Sequence, residues 1–312
     1  MLSAAAQSGN GMKISILGAG SFGKALARLL SDKGYTVSLW GRSLGTDMAE
    51  CLSGADWALF AVPAQSFREV FKNACPLMPK DLPVVNVAKG IELGSLLRMS
   101  QVAEEIRPGV RYAALSGPSH AEEIELKLPT TVVVCSEDGA LARQAQDVFI
   151  TDWFRVYTQD DLIGTELGGS LKNIIALGAG MSDGMGFGDN TKAALMTRGM
   201  AEITRLAVAM GARQDTFLGL TGIGDLIVTC TSRHSRNWRC GYLMGQGRPA
   251  AEAQAEIGMV VEGASTAFAA EELAKRYGVD MPITSTICAV LRGEKKASEG
   301  MTQLMTRDRK AE

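Results

Sequence analysis

KISILGAGSFGKALARLLSDKG, residues 13–34, reads as three pieces in order. KISILG (13–18) is a short apolar run of strand type. GAGSFG (18–23) fits the spacing G-x-G-x-x-G. The run from Ser21 then places Phe22, Leu26, Leu29 and Leu30 at helical intervals and stops at Gly34. A strand that passes through such a loop straight into a helix is the context in which this pattern cradles a dinucleotide. Gly18 permits the tight turn, Gly20 lets the backbone approach a pyrophosphate, and Gly23 lets the helix close on the sheet. The first N–H groups of the helix then face the phosphates.

Working outward, six further short runs have strand character: YTVSLW (35–40), WALFAV (57–62), PVVNVA (83–88), YAALS (112–116), TTVVVC (130–135) and WFRVY (153–157). Near-continuous apolar strands separated by helical stretches predict a mainly parallel sheet covered on both faces. Beyond about residue 160 the period changes to three or four and strands disappear. Met196, Met200, Ile203, Ala207 and Met210 form one helical stripe that reads as core. The expected architecture is α/β: a loose tail (1–11), a Rossmann-like doubly wound parallel sheet (12–160) that binds a dinucleotide, and a C-terminal all-helical domain (161–312) for substrate and catalysis.

The 312 residues are 46% hydrophobic and 21% charged, with a net charge of −2. That balance fits a globular protein and gives no bulk attraction for nucleic acid. No apolar run is long enough to span a bilayer. The opening MLSAAAQSGNG lacks the basic and apolar regions of a secretory signal. Six cysteines without a C-x-x-C pair predict reduced, mostly structural thiols and a cytoplasmic protein. With two histidines, His120 and His234, a His-rich metal site is not expected.

Three charges stand alone in uncharged surroundings. Lys172 lies in GGSLKNIIALGAG (168–180), Lys89 in LPVVNVAKGI (82–91), and Asp225 in TFLGLTGIGDLIVTCTS (216–232). Lysines can snorkel to the surface, but three isolated charges suggest one shared, partly buried site. A desolvated lysine beside another cation exchanges its proton near neutral pH. Reduction of a carbonyl needs such an acid, while a nicotinamide supplies hydride. Lys172 fits the acid, Asp225 its orienter, and Lys89 the holder of substrate or developing charge. In SRHSRN (232–237), Arg233 and Arg236 sit among Ser and Asn and lead into a helix, so the stretch suits a phosphate unless it is a basic helix cap. The second strand ends in Arg42 and Ser43 instead of the acid that binds the ribose of NAD. A guanidinium there favours NADP, or use of both cofactors, unless it is a plain surface arginine.

Together these stretches resemble one family. GAGSFGKALA (18–27), AVP (61–63), VAKGIE (87–92), SGPSHAEE (116–123), the run 171–202, TFLGLTGIGDLIVTCTSRHSRN (216–237) and VVEG (260–263) are similar, in order, to NAD(P)-dependent glycerol-3-phosphate dehydrogenases of the bacterial and organellar type. The resemblance implies reversible reduction of dihydroxyacetone phosphate to sn-glycerol 3-phosphate by NADPH or NADH, feeding phospholipid synthesis. It makes Lys172 the proton donor and acceptor. Lys89, Gly117, Ser119, Asp225, Ser235, Arg236 and Asn237 become substrate residues. Ser21, Phe22, Arg42, Lys89, Ala121, Arg236, Val260 and Glu262 become cofactor-side residues. A homodimer is the family expectation.

The chain departs from that pattern in one place. Between WGR (40–42) and the strand near 57 it has only SLGTDMAECLSGAD, where most members carry a longer segment with a further strand. His120 follows SGPS, where its ring either approaches the site or serves the structure. Two other readings stay open at this level: a dehydrogenase for a related 3-hydroxy acid, and a non-catalytic NAD(P) sensor.

Overall fold

The computed structural model describes residues 11–307. The tail expected over residues 1–11 therefore falls, but for Gly11, outside the described residues. Seven strands form one sheet: β1 (Lys13–Leu17), β2 (Thr36–Trp40), β3 (Trp57–Phe60), β4 (Val84–Asn86), β5 (Tyr112–Ser116), β6 (Thr130–Cys135) and β7 (Phe154–Gln159). Their spatial order is β2-β1-β3-β4-β5-β6-β7. Between them lie α1 (Ser21–Asp32), α2 (Met48–Leu52), α3 (Ala64–Ala74), α4 (Met99–Ile106), α5 (Ala121–Glu125) and α6 (Gly139–Phe149).

The strands are read on both faces. Ile14, Ile16 and Leu59 enter one apolar cluster with Leu26, Leu29 and Leu30 of α1. Leu17, Ala58 and Phe60, one position out of step, enter another with Phe67 and Phe71 of α3. Period-two alternation thus fills two layers, so the strand sequences look uniformly apolar. The sheet is not wholly parallel: β5 and β6 run antiparallel. A parallel crossover needs a dozen or more residues, usually with a helix long enough to return across the sheet. Residues 117–129 spend a turn on Gly117–Ser119 and carry only the five-residue α5.

The rest is helical: α7 (Leu162–Gly184), α8 (Asp189–Ala209), α9 (Asp225–Thr231), α10 (Arg236–Gly245), α11 (Ala250–Ile257), α12 (Glu262–Tyr277), α13 (Pro282–Leu291) and α14 (Ala297–Met305). Residues 164–182 of α7 are buried all round, so it is the central rod of this bundle. Glycine lets other helices reach its backbone. A Cβ at Gly180 would lie 2.0 Å from the Trp238 carbonyl oxygen, and one at Gly241 would lie 2.0 Å from that of Leu177. The stripe on α8 packs as read, with Ile203 and Ala207 buried and Met196, Met200 and Met210 against the same core.

Glu166 fastens α7 to the sheet layer. Its carboxylate accepts from Arg98 Nη1 at 2.5 Å, Ser100 N at 2.8 Å, Ser100 Oγ at 2.5 Å and Tyr112 OH at 2.9 Å. All six cysteines are free thiols and five are buried. Among the described residues, no helix is long and apolar enough to cross a membrane.

Candidate active site

Lys172 is one-twentieth exposed, on the buried rod α7. Its ammonium donates to Asp225 Oδ1 and, at 2.6 Å, to Thr229 Oγ1. Asp225 is the first residue of α9, entered from a π-helical turn at Leu220–Gly224. Its other oxygen, Oδ2, accepts from Lys89 Nζ at 2.7 Å. One carboxylate therefore bridges the two lysines, and the three lone charges of the sequence meet at one point.

Each group is placed by its neighbours. Thr229 lies one helical turn after Asp225 and donates to its carbonyl oxygen at 2.6 Å, leaving its hydroxyl oxygen to accept from Lys172. Lys89 Nζ also donates to the Gly117 carbonyl at 2.9 Å. Asn86, at the end of β4, bonds the Ala88 backbone in both directions, at 3.1 and 3.2 Å, and so shapes the turn that presents Lys89. Gly117, with φ +121°, occupies the left-handed region glycine favours.

Burial lowers the Lys172 ammonium to a pKa of about 8; Asp225 opposes that fall and Lys89 adds to it. Burial alone would raise the Asp225 carboxyl, but the two ammonium groups outweigh it and hold it below its ordinary value. The pair is thus ionised at neutral pH, with Lys172 poised to give up its proton.

Lys89 and Lys172 open into a cavity of about 520 Å³. Ser119, Ser235, Arg236 and Asn237 also line it, as do Ser21, Phe22, Ala121, Val260 and Glu262. Asp225 sits behind the lysines at 1% exposure. Ser235 caps α10, accepting from Trp238 N at 3.2 Å, so Arg236 and Asn237 begin that helix at the cavity wall. The side chain of Asn237 is itself committed to the frame. It donates to Asn173 Oδ1 and accepts from Gly263 N, both at 2.9 Å. Ser119 Oγ likewise donates to the Gly117 carbonyl, at 2.9 Å. Arg42 is not among the cavity-lining residues; its guanidinium donates to Ser66 Oγ at 3.3 Å.

The glycine loop has the shape a dinucleotide requires. Gly18 takes φ +129°, and a Cβ there would lie 2.3 Å from the Ala61 carbonyl oxygen. A Cβ at Gly23 would lie 1.9 Å from the Gly18 oxygen, whereas one at Gly20 meets nothing within 4 Å. Gly20 therefore faces open space at the start of α1, where no side chain caps the helix. Glu262 Oε1 accepts from Ala64 N at 3.0 Å, while its buried Oε2 has no partner among the described residues. Burial raises the Glu262 carboxyl. An acceptor left over beside the cavity suits a donor from a bound ligand.

Several contributors lay beyond sequence reading. Thr229 and Asn173 are neutral residues in helical runs; their one clue is position, four residues after Asp225 and next to Lys172. His120 and His234 both line the cavity, with ring centroids 5.8 Å apart.

The N-terminal model for NAD-dependent glycerol-3-phosphate dehydrogenase matches residues 13–44 and 43–142, and the C-terminal model for the same enzymes matches 161–302. The chain belongs to the NAD-dependent glycerol-3-phosphate dehydrogenase family. A glycerol-3-phosphate dehydrogenase [NAD(P)+] of Clostridium perfringens is 48% identical over 96% of this chain and 99% of its own length. One from Bacillus subtilis is 48% identical over 95% and 94%. The crystal structure of glycerol-3-phosphate dehydrogenase from Coxiella burnetii superposes with a TM-score of 0.91 at 35% identity, covering 95% of this chain and 99% of that one. In this dehydrogenase the paired lysines, the carboxylate and the glycine loop thus lie on a fold shared along nearly the whole chain.

Proposed function

We propose that this chain reduces dihydroxyacetone phosphate to sn-glycerol 3-phosphate, reversibly, with NADPH or NADH, and so feeds phospholipid synthesis. One observation carries the reading. A buried ammonium with a pKa of about 8 opens into the cavity, held by Asp225 and Thr229, with the ammonium of Lys89 on the same carboxylate. When bound, the nicotinamide supplies the hydride that the carbonyl carbon receives.

The protein's part is binding and proton delivery. Gly18, Gly20, Ser21, Phe22 and Gly23 receive the cofactor's phosphates; Ala121, Val260 and Glu262 stand along the cavity toward its nicotinamide end. Arg236, Ser235 and the start of α10 attract the substrate phosphate, with the backbone near Gly117 and Ser119 on the facing wall. Lys89 draws the carbonyl oxygen toward a cationic corner and stabilises charge as it develops there. Lys172 then gives that oxygen its proton, and Asp225 keeps the ammonium aimed. In reverse, neutral Lys172 takes the proton from the alcohol.

We assign cofactor binding chiefly to residues 12–160 and substrate capture to residues 161–312. We further propose a cytoplasmic homodimer, in line with the family resemblance; light scattering of the purified chain tests the dimer. Activity is tested by following the absorbance of NADPH or NADH with and without dihydroxyacetone phosphate. Substrate-dependent oxidation supports the reading; cofactor binding without oxidation contradicts it.

A further inference from the structure

Two imidazoles line the cavity outside the set of groups that carries the proton. His120 follows Ser119 and immediately precedes α5, which belongs to the sheet layer. His234 immediately precedes Ser235, the cap of α10 in the helical bundle. Their ring centroids lie 5.8 Å apart, with the planes inclined by 53°. The pair therefore spans the cavity from the Gly117–Ser119 wall to the Ser235–Arg236 wall, at the end assigned to the substrate phosphate.

The two rings differ in what holds them. His120 is half-buried, and its Nε2 is shut off from water with no hydrogen-bond partner among the described residues. Burial, then the Lys172 ammonium, lower its pKa; a ring hydrogen bond to the Val228 backbone and the carboxylates of Glu123 and Asp225 oppose them. His120 is thus neutral at neutral pH. A neutral ring that gives its one N–H to a backbone carbonyl has only an acceptor left. A buried acceptor without a donor is costly unless something else supplies one. The His234 ring is exposed and has no hydrogen-bond partner among the described residues. Its backbone N–H donates to Ser232 Oγ at 3.1 Å, which fixes the turn while leaving the ring free to move.

We infer that His234 is a further phosphate-binding residue and that His120 positions it. When dihydroxyacetone phosphate enters, the His234 ring donates one N–H to a phosphate oxygen and the other to His120 Nε2. A small movement of the exposed ring brings a nitrogen of each imidazole within hydrogen-bond distance. An imidazole that donates at both nitrogens is cationic, so its contact with the phosphate is charge-assisted. The orphaned acceptor of His120 gains its donor in the same step. The inference rests on the assignment of this end of the cavity to the substrate phosphate, and it adds to Arg236 a second cation that forms where the anion binds.

The test is steady-state kinetics at saturating NADPH, with inorganic phosphate as a competitive inhibitor against dihydroxyacetone phosphate, beside a fluorescence titration of NADPH alone. His234→Ala should raise KM roughly tenfold and weaken inhibition by inorganic phosphate by a similar factor, the loss falling on KM more than on kcat. NADPH affinity should stay as in the parent. His234→Gln keeps one N–H donor and should recover part of both losses. His120→Phe keeps a ring but removes the acceptor; it should raise KM by about threefold to fivefold. Combined with His234→Ala it should add nothing, because it acts through that ring. An unchanged KM in His234→Ala, a raised KM with phosphate inhibition intact, an equal loss of NADPH affinity, or additive losses in the double variant would each overturn the inference and leave the dehydrogenase reading standing. A parent protein that binds NADPH yet leaves dihydroxyacetone phosphate unreduced would remove both.

Discussion

Lys172 and Asp225, 53 positions apart in the chain, form a buried ion pair in which the carboxylate still has a second oxygen for Lys89. Removing Asp225 would strand two ammonium groups, whereas removing Lys172 leaves the carboxylate still paired with Lys89 and takes away only the proton. Lys172→Ala should therefore lose turnover by roughly a hundredfold or more while NADPH binds as before. Steady-state rates and a fluorescence titration on the same sample check both halves. Near-normal turnover would exclude Lys172 as the proton donor.

The pH profile has a fixed sign. Lys172 carries its proton below about 8 and loses it above. Reduction needs the ammonium, so kcat/KM for dihydroxyacetone phosphate should fall as pH rises through about 8. Oxidation of glycerol 3-phosphate needs the amine and should rise over the same interval. Asp225 opposes the lowering, so Asp225→Asn should move both midpoints to lower pH as well as slow the reaction. A midpoint that stays put would separate the profile from this pair.

Two glycines of the loop should fail differently. Gly18→Ala puts a methyl group against the Ala61 carbonyl in a left-handed conformation, so the protein should lose stability. At Gly20 an added Cβ meets nothing within 4 Å, and the φ of −70° is one valine tolerates, so Gly20→Val is accommodated. It should melt like the parent and lose cofactor affinity, because the side chain fills the space where a pyrophosphate approaches. Thermal denaturation alongside cofactor titration distinguishes them.

Glu166 joins the bundle to the sheet layer through Arg98, Ser100 and Tyr112. Glu166→Ala should destabilise the protein by about 3–5 kcal/mol, since it strands a largely buried guanidinium. Glu166→Gln should recover part of that loss. Urea denaturation curves measure both.

Much of this was legible because a few residues contradict their surroundings. Lys89, Lys172 and Asp225 stood out as charges where apolar side chains prevail, and the glycine loop as a spacing between a strand and a helix. Thr229 and Asn173 did not, since a neutral polar residue in a helix is ordinary until its partner is known. Asn237 was read for its chemistry, yet its amide joins α10 to α7 and α12, a role set by packing. The reversal between β5 and β6 was hidden too, because strand direction depends on what the connection can span. The short segment after Arg42 was visible in sequence, and among the described residues the sheet accordingly ends at β2.

The central claim is that the cavity reduces a phosphorylated ketone with a nicotinamide and the proton of Lys172. The most direct measurement mixes the purified chain with NADPH and dihydroxyacetone phosphate, follows the reduced-nicotinamide absorbance, and identifies the product. Substrate-dependent loss of absorbance with equimolar sn-glycerol 3-phosphate, abolished in Lys172→Ala, is the predicted result. A folded protein that binds NADPH but leaves both compounds unchanged would contradict it.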